Sequence, residues 1–187
     1  MRLVVAISGA SGAVYGVRAL EVLRKLKVET HLIVTDAARD TIRLETPFKP
    51  RYVEGLATRT HRVGDLTSAV ASGSFETDGM AVIPCSMKTL AGVAAGYSDN
   101  LLLRAADVTL KERRPLVLVV REAPLSLIHL ENMVAVTRAG AIVLPAMPAF
   151  YSRPKTVDDL VDQVVGKALD LLGVKSSLFK RWGATTS

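Results

Sequence analysis

The sequence predicts a doubly wound α/β domain with a mainly parallel sheet, and three observations predict it. Five short, continuous apolar runs recur along the chain, as strands buried on both faces require. Helical apolar spacing separates them, the alternation that crossover connections build into one parallel sheet. Hydrophobic residues make up 49% of the chain but aromatic ones only 5%, which suits aliphatic strand and helix packing better than an aromatic-rich sandwich. A length of 187 residues fits one core, not two.

The elements follow in order. Leu3 to Ile7 reads as the first strand, runs straight into the string SGASGAVYG, and is followed by Val14, Val17, Leu20 and Leu23 at helical spacing. His31 to Val34 is the second strand, and a helix is expected over Asp36 to Glu45. Pro47 to Gly79 has weak periodicity and is rich in Gly, Ser, Thr and charge, so it is expected to be a long surface excursion with short elements only. Met80 to Pro84, Leu116 to Val120 and Ala141 to Pro145 supply three more strands. Helices are expected between and after them, over Met87 to Ala95, Asn100 to Glu112, Leu125 to Arg138 and Val157 to Leu172. Thr156 and Asp159 have the spacing of a capping box at the start of the last one.

Composition excludes several function classes. No apolar run approaches the roughly 20 residues of a membrane helix, and Met1 to Ile7 leads into a glycine turn and not a signal cleavage site. The lone Cys85 has no partner for an internal disulfide and no metal-ligand spacing, so a cytoplasmic, reducing compartment is expected. The net charge of +6 and pI near 9.7 come from dispersed basic residues without an RNA-type aromatic signature, which favours an anionic small ligand over nucleic acid.

Ligands of open parallel sheets sit beyond the carboxyl ends of the strands, and those positions are polar here. After the first strand, Gly9, Ser11 and Gly12 let backbone approach a phosphate at a helix start. The spacing is not G-x-G-x-x-G, and Thr35-Asp36 offers a hydroxyl as readily as a ribose-binding carboxylate, so a nicotinamide cofactor is disfavoured. Ser86, Lys88 and Thr89 open another helix with hydroxyl, ammonium and N–H donors. Arg121 and Glu122 stand together before Pro124, where an unpaired charge is costly, so they pair structurally or serve a ligand. The loop from Pro145 to Pro154 presents Phe150, Tyr151 and Arg153. Two motifs read as structural: DDLVD at Asp158 to Asp162 sits where acidic residues favour a helix start, and His129 reads as a structural histidine instead of a base.

Taken together, SGASGAVYG, the SGS of Ser72 to Ser74, PCSMKTLA, NLLLRAADVTLKERRPLVLVVREAP, IHLENM and LPAMPAFY resemble the flavin prenyltransferase (UbiX) family from residue 1 to about 174. The resemblance implies a flavodoxin-like or Rossmann-like three-layer fold over 1–174, a tail of 175–187 packing on a neighbouring subunit or the active site, and a homododecamer whose active sites draw on more than one subunit. It implies metal-free transfer of a dimethylallyl group from dimethylallyl phosphate to N5 and C6 of reduced FMN, with the prenylated FMN passing to a UbiD-type decarboxylase, and a place in ubiquinone biosynthesis. Carried over by position, Gly9, Ala10, Ser11, Thr35, Ser86, Met87, Lys88, Thr89 and Arg121 hold FMN. Tyr151 and Lys167 hold the prenyl phosphate, with Arg104 and Lys111 adding positive charge. Lys167 stands where arginine is common, which keeps the charge and loses the bidentate fork. Trp182 resembles a C-terminal tryptophan that shelters the allylic fragment, and Glu122 and Glu45 match acid/base positions. Two alternatives remain: a flavin-dependent cysteine decarboxylase, whose PXMNXXMW pattern is replaced by PAMPAFY, and a non-catalytic FMN-binding module.

Overall fold

The computed structural model describes residues 1–183, so the last four residues of the expected 175–187 tail lie outside the described ones. Six strands form one sheet: β1 (Arg2–Ile7), β2 (Glu29–Val34), β3 (Arg59–His61), β4 (Gly79–Cys85), β5 (Leu116–Val120) and β6 (Ile142–Pro145). Every pairing is parallel, and the order is β3-β2-β1-β4-β5-β6. That is the strand order of Rossmann-like folds, in which the connections diverge on either side of the first strand and open a crevice at its carboxyl end.

The helices are α1 (Ala13–Lys25), α2 (Asp36–Glu45), α3 (Pro50–Glu54), α4 (Met87–Ala94), α5 (Leu101–Lys111), α6 (Leu127–Arg138) and α7 (Val157–Leu171). Alternate residues of each inner strand point to opposite faces, which makes two cores. Leu3, Val5 and Ile7 of β1 pack with Ala81 and Ile83 of β4 against α1, α2 and α7. Val4 and Ala6 pack with Met80 and Val82 against α4 and α5 on the other face. A fully buried leucine such as Leu20 or Leu101 contributes roughly 1.5–3 kcal/mol by leaving water.

The first face is closed by α1 against α7, where the Arg18 guanidinium donates to both carboxylate oxygens of Asp162 at 2.6 and 3.0 Å. The second face is less covered. Of α6 only Val136 is buried, while Leu127 and Ile128 are 69% and 68% exposed, and Leu130 and Val134 are also in water.

The five apolar runs are all strands, and the expected helices appear within two residues at their ends. The excursion from Pro47 to Gly79 contains α3, a 3₁₀ turn at Ala69–Ala71 and the sixth strand, β3. β3 is three polar residues without an apolar run, held by pairing with β2 and by the stacking of His61 on the buried His31, ring centroids 5.1 Å apart.

Candidate active site

Five strand ends are tied together by main-chain and hydroxyl bonds. Ser8, which is buried, donates through Oγ to the Pro84 carbonyl at 3.0 Å and accepts the Ser86 N–H at 2.8 Å. This one hydroxyl fixes the loop after β1 to the loop after β4. The Thr35 N–H reaches the Ile7 carbonyl at 3.1 Å, the Arg121 N–H the Cys85 carbonyl at 3.2 Å, and the Ala146 N–H the Val120 carbonyl at 2.9 Å. The chain from β2 to β6 thereby presents its carboxyl ends as one edge.

On this edge the flavin candidates gather. Thr35 caps α2 by accepting the Ala38 N–H at 3.1 Å, and Ser86 caps α4 by accepting the Thr89 N–H at 3.3 Å. Each such cap stabilises its helix by about 1 kcal/mol; the first turn of α4 has no acidic residue, so its start favours an anion, while that of α2 begins with Asp36. Ser86 Oγ also donates to the buried Thr89 hydroxyl at 3.1 Å. Lys88 is exposed on the first turn of α4. Gly12 has φ +102°, a left-handed conformation that only glycine adopts without strain. Gly9 is needed for a different reason: a Cβ there would come within 2.4 Å of the Ala37 Cβ.

Arg121 and Glu122 do not pair with each other. Arg121 Nε donates to the Ser11 carbonyl at 3.0 Å and so braces the first loop from 110 residues away. Glu122 is exposed and accepts the Ala123 N–H at 3.0 Å. Glu45, at the end of α2, reaches the start of α1, where its Oε2 accepts the N–H groups of Gly12 and Ala13 at 2.7 and 3.1 Å. Partial burial pushes its pKa up, but the Gly12 N–H, the Ser11 hydroxyl, the Ala13 N–H and the Arg121 charge outweigh it and hold the carboxyl below its ordinary value. Glu45 is thus a fixed carboxylate that caps α1, an arrangement at odds with ready proton donation.

A cleft of about 360 Å³ opens beside β6, with Tyr151, Lys167, Asp170, Phe179, Arg181 and Trp182 among its lining residues. Tyr151 comes from the loop after β6, Lys167 and Asp170 from α7, and the rest from the tail. Gln163 is buried and accepts the Ala149 N–H, which fixes the Pro-rich loop to α7. Phe179 lies on Gly166, where an added Cβ would come within 2.5 Å of its ring. Trp182 meets Tyr151 edge-on, centroids 5.3 Å apart. Tyr151, Lys167 and Trp182 are therefore brought together in one cleft.

Arg104 and Lys111 are not brought to that cleft within one chain. Both lie on α5, where Arg104 donates to the Ala71 carbonyl at 3.1 Å and to Asp107 at 2.7 Å, and Lys111 pairs with Glu112. Two of the three DDLVD aspartates have structural contacts: Asp159 closes the capping box with Thr156, and Asp162 holds Arg18. Among the described residues no group of three or more His, Cys, Asp or Glu is placed to hold a metal. His129 completes a capping box with Ser126. Cys85 is wholly buried, which pushes its thiol up to about 12. Sequence reasoning missed Ser8, Asp170, Phe179 and Arg181. Two had a signal in the chain: Asp170 is three residues after Lys167 on one helical face, and Arg181 precedes Trp182.

The donor set fits FMN: the start of α4 and a lysine for a phosphate, the hydroxyls of Ser11, Thr35 and Ser86 for a polyol, and Arg121 beside the loop. The chain matches the Flavoprotein family model over residues 1–169. It is 53% identical over 184 residues to the flavin prenyltransferase UbiX of Escherichia coli (strain K12), covering 97% of each chain. The AnUbiX (PadA1) structure, solved with FMN and dimethylallyl pyrophosphate, superposes with a TM-score of 0.96 at 51% identity over 99% of this chain and 98% of that one. A dodecameric FMN-dependent Ubix-like decarboxylase from Escherichia coli O157:H7 gives 0.96 at 54% identity over 98% and 100%. Full-length agreement of this order, on a fold whose carboxyl edge carries the matching donors, makes the chain a member of the flavin prenyltransferase (UbiX) family.

Proposed function

We propose that this chain transfers the dimethylallyl group of dimethylallyl phosphate to N5 and C6 of reduced FMN, without a metal, and that a UbiD-type decarboxylase uses the product. The meeting of Tyr151, Lys167 and Trp182 in one cleft, on the same sheet edge as the flavin-type loops, carries this reading.

Reduced FMN, when bound, supplies the nucleophilic positions that accept the prenyl group. Gly9, Ala10, Ser11, Thr35, Ser86, Met87, Lys88, Thr89 and Arg121 hold it, through N–H groups, hydroxyls and fixed cations. Breaking the allylic C–O bond leaves the electron pair on the phosphate, and the Lys167 ammonium and the Tyr151 phenol stabilise that charge where it develops. The Trp182 ring and the apolar wall of Leu144 and Phe179 keep water from the cation-like allylic fragment. Glu122 moves the proton at the flavin during ring closure. Glu45 fixes Ser11 and the α1 start.

Arg104 and Lys111 reach a phosphate from a neighbouring subunit, in an assembly like the dodecamer of the related structure. The exposed aliphatic face of α6 supports such burial between copies. The 1–174 body then acts as one flavin-binding domain, and the tail closes over the phosphate cleft. No helix among the described residues is long and apolar enough to cross a membrane, and the buried free thiol suits a cytoplasmic setting, which fractionation tests.

Incubation with reduced FMN and dimethylallyl phosphate is expected to release phosphate and add one prenyl unit to the flavin mass, with or without chelator. Flavin binding without that gain points instead to a cysteine decarboxylase or a flavin-storing module, and dependence on added magnesium removes the metal-free chemistry. Glu122→Gln is expected to retain FMN and lose about 10²-fold or more in turnover; unchanged turnover in single-turnover assays takes the proton role from Glu122.

A further inference from the structure

The cleft beside β6 contains a charge that the prenyl-transfer reading leaves unused. Lys167 and Arg181 are the cations among its lining residues, and Asp170 is the acid. Arg181 does not face the cleft as a free cation. Its Nη1 and Nη2 donate to the two oxygens of Asp170 at 2.8 and 2.7 Å, a fork-to-carboxylate pair with two parallel charge-assisted bonds. The Asp170 side chain is only 17% exposed and that of Arg181 55%, so the acid is the more buried member, on α7, and the guanidinium on the tail is the more exposed one. The Phe179 ring lies beneath it, 5.4 Å from guanidinium carbon to ring centroid. Arg181 is held, neutralised and aligned beside Lys167 and Tyr151, the groups that meet the leaving phosphate.

We propose that Asp170 sets the donor preference of the cleft, selecting dimethylallyl phosphate over dimethylallyl diphosphate by occupying the guanidinium of Arg181. The inference rests on the prenyl-transfer reading and adds to it the choice of leaving group. A diphosphate brings a second phosphoryl group with additional negative charge and needs a further cation, and the guanidinium in this cleft is already taken by the Asp170 carboxylate. A monophosphate needs only the Lys167 ammonium and the Tyr151 phenol from this chain. The AnUbiX relative was solved with the diphosphate, so the choice between the two donors is a real one within the family.

The test measures kcat/KM for both donors with reduced FMN in the wild type, Asp170→Asn, Asp170→Glu and the double variant Asp170→Asn with Arg181→Gln. Asp170→Asn is expected to raise the diphosphate-to-monophosphate ratio roughly tenfold or more, the range of one charge-assisted hydrogen bond. Asp170→Glu is expected to keep the wild-type ratio, and the double variant to lose the gain because the released cation is gone. A ratio unchanged in Asp170→Asn, or a gain that survives in the double variant, overturns the proposal and leaves the pair as a tail anchor. Calorimetric binding of inorganic phosphate and pyrophosphate reads the same ratio without turnover. If the wild type transfers no prenyl group from either donor, the functional reading fails while calorimetry still decides the charge argument.

Discussion

The flavin side and the phosphate side of the sheet edge are built from different materials. Around β1, β2 and β4 the site consists of main-chain groups and short hydroxyls, locked by Ser8, by the Thr35 and Ser86 caps and by Arg121 on the Ser11 carbonyl. Beside β6 it consists of side chains with long reach, Tyr151, Lys167, Arg181 and Trp182, on a loop, an exposed helix face and a tail. The first side is tied together by bonds within this chain, and the cleft of the second is lined by neither Arg104 nor Lys111. The difference follows the chemistry: a flavin is bound before and after the reaction, while the phosphate arrives, gains charge and leaves. Preformed donors suit the first task, and groups that close and reopen suit the second.

Removing the phenol breaks the phosphate side alone. Tyr151→Phe is expected to lower turnover by about 10²–10⁴-fold while FMN affinity, followed by fluorescence quenching, stays within twofold of wild type; a matching loss of FMN affinity would erase the distinction. Next in size is Ile128→Asp on α6. The side chain is 68% exposed, so the subunit is expected to stay folded by circular dichroism while light scattering reports a smaller species. Prenyl transfer is expected to fall at least tenfold as the α5 cations are withdrawn. Full activity in that smaller species would show that one chain suffices.

Ser8→Ala sharpens the comparison from the other side. It strips the part-buried Ser86 N–H of its hydroxyl partner, while the Pro84 carbonyl keeps the Ser8 N–H at 3.3 Å, a loss of about 1–3 kcal/mol read by urea unfolding, together with weaker FMN binding and little change in the KM for the prenyl donor. The smallest effect lies far from both sides. Burial, the neighbouring His31 and Arg59 lower the pKa of His61 below its ordinary 6.5, against the pull of Asp65. His31 also meets Glu29, itself bonded to Arg2, and Ser68 donates to or accepts from His61 at 2.6 Å. The unfolded chain then holds more protons just below pH 6.5, so stability is full above that value and falls as pH drops toward the folded pKa. His61→Asn is expected to flatten this pH dependence of the melting temperature, without touching activity at pH 7.5 or so.

Most of the fold was legible because parallel strands buried on both faces leave continuous apolar runs, as Val4 to Ile7 and Leu116 to Val120 do. β3 was not legible: Arg59, Thr60 and His61 form a strand through partners on β2, and nothing in their own pattern announces it. The sites after the strands could be found because topology decides where ligands sit. The links between them could not. Glu45 meets Gly12 across 33 residues and Arg121 meets Ser11 across 110, contacts that exist only once the sheet is assembled. Asp170 with Arg181 was nearer the surface of the sequence, eleven residues apart, but a carboxylate on a helix and an arginine in a tail are common enough that only geometry singles them out.

The Glu45 carboxylate at the head of α1 also limits what else this chain can become. Dinucleotide folds seat their bridging diphosphate on that first helix, drawn by its positive end. Here the seat is already filled by a covalently tethered anion, so adenine dinucleotides meet a like charge where they need bare N–H groups. The head of α4, by contrast, has no acidic residue in its first turn, which leaves a seat for the single phosphate of a half-sized cofactor.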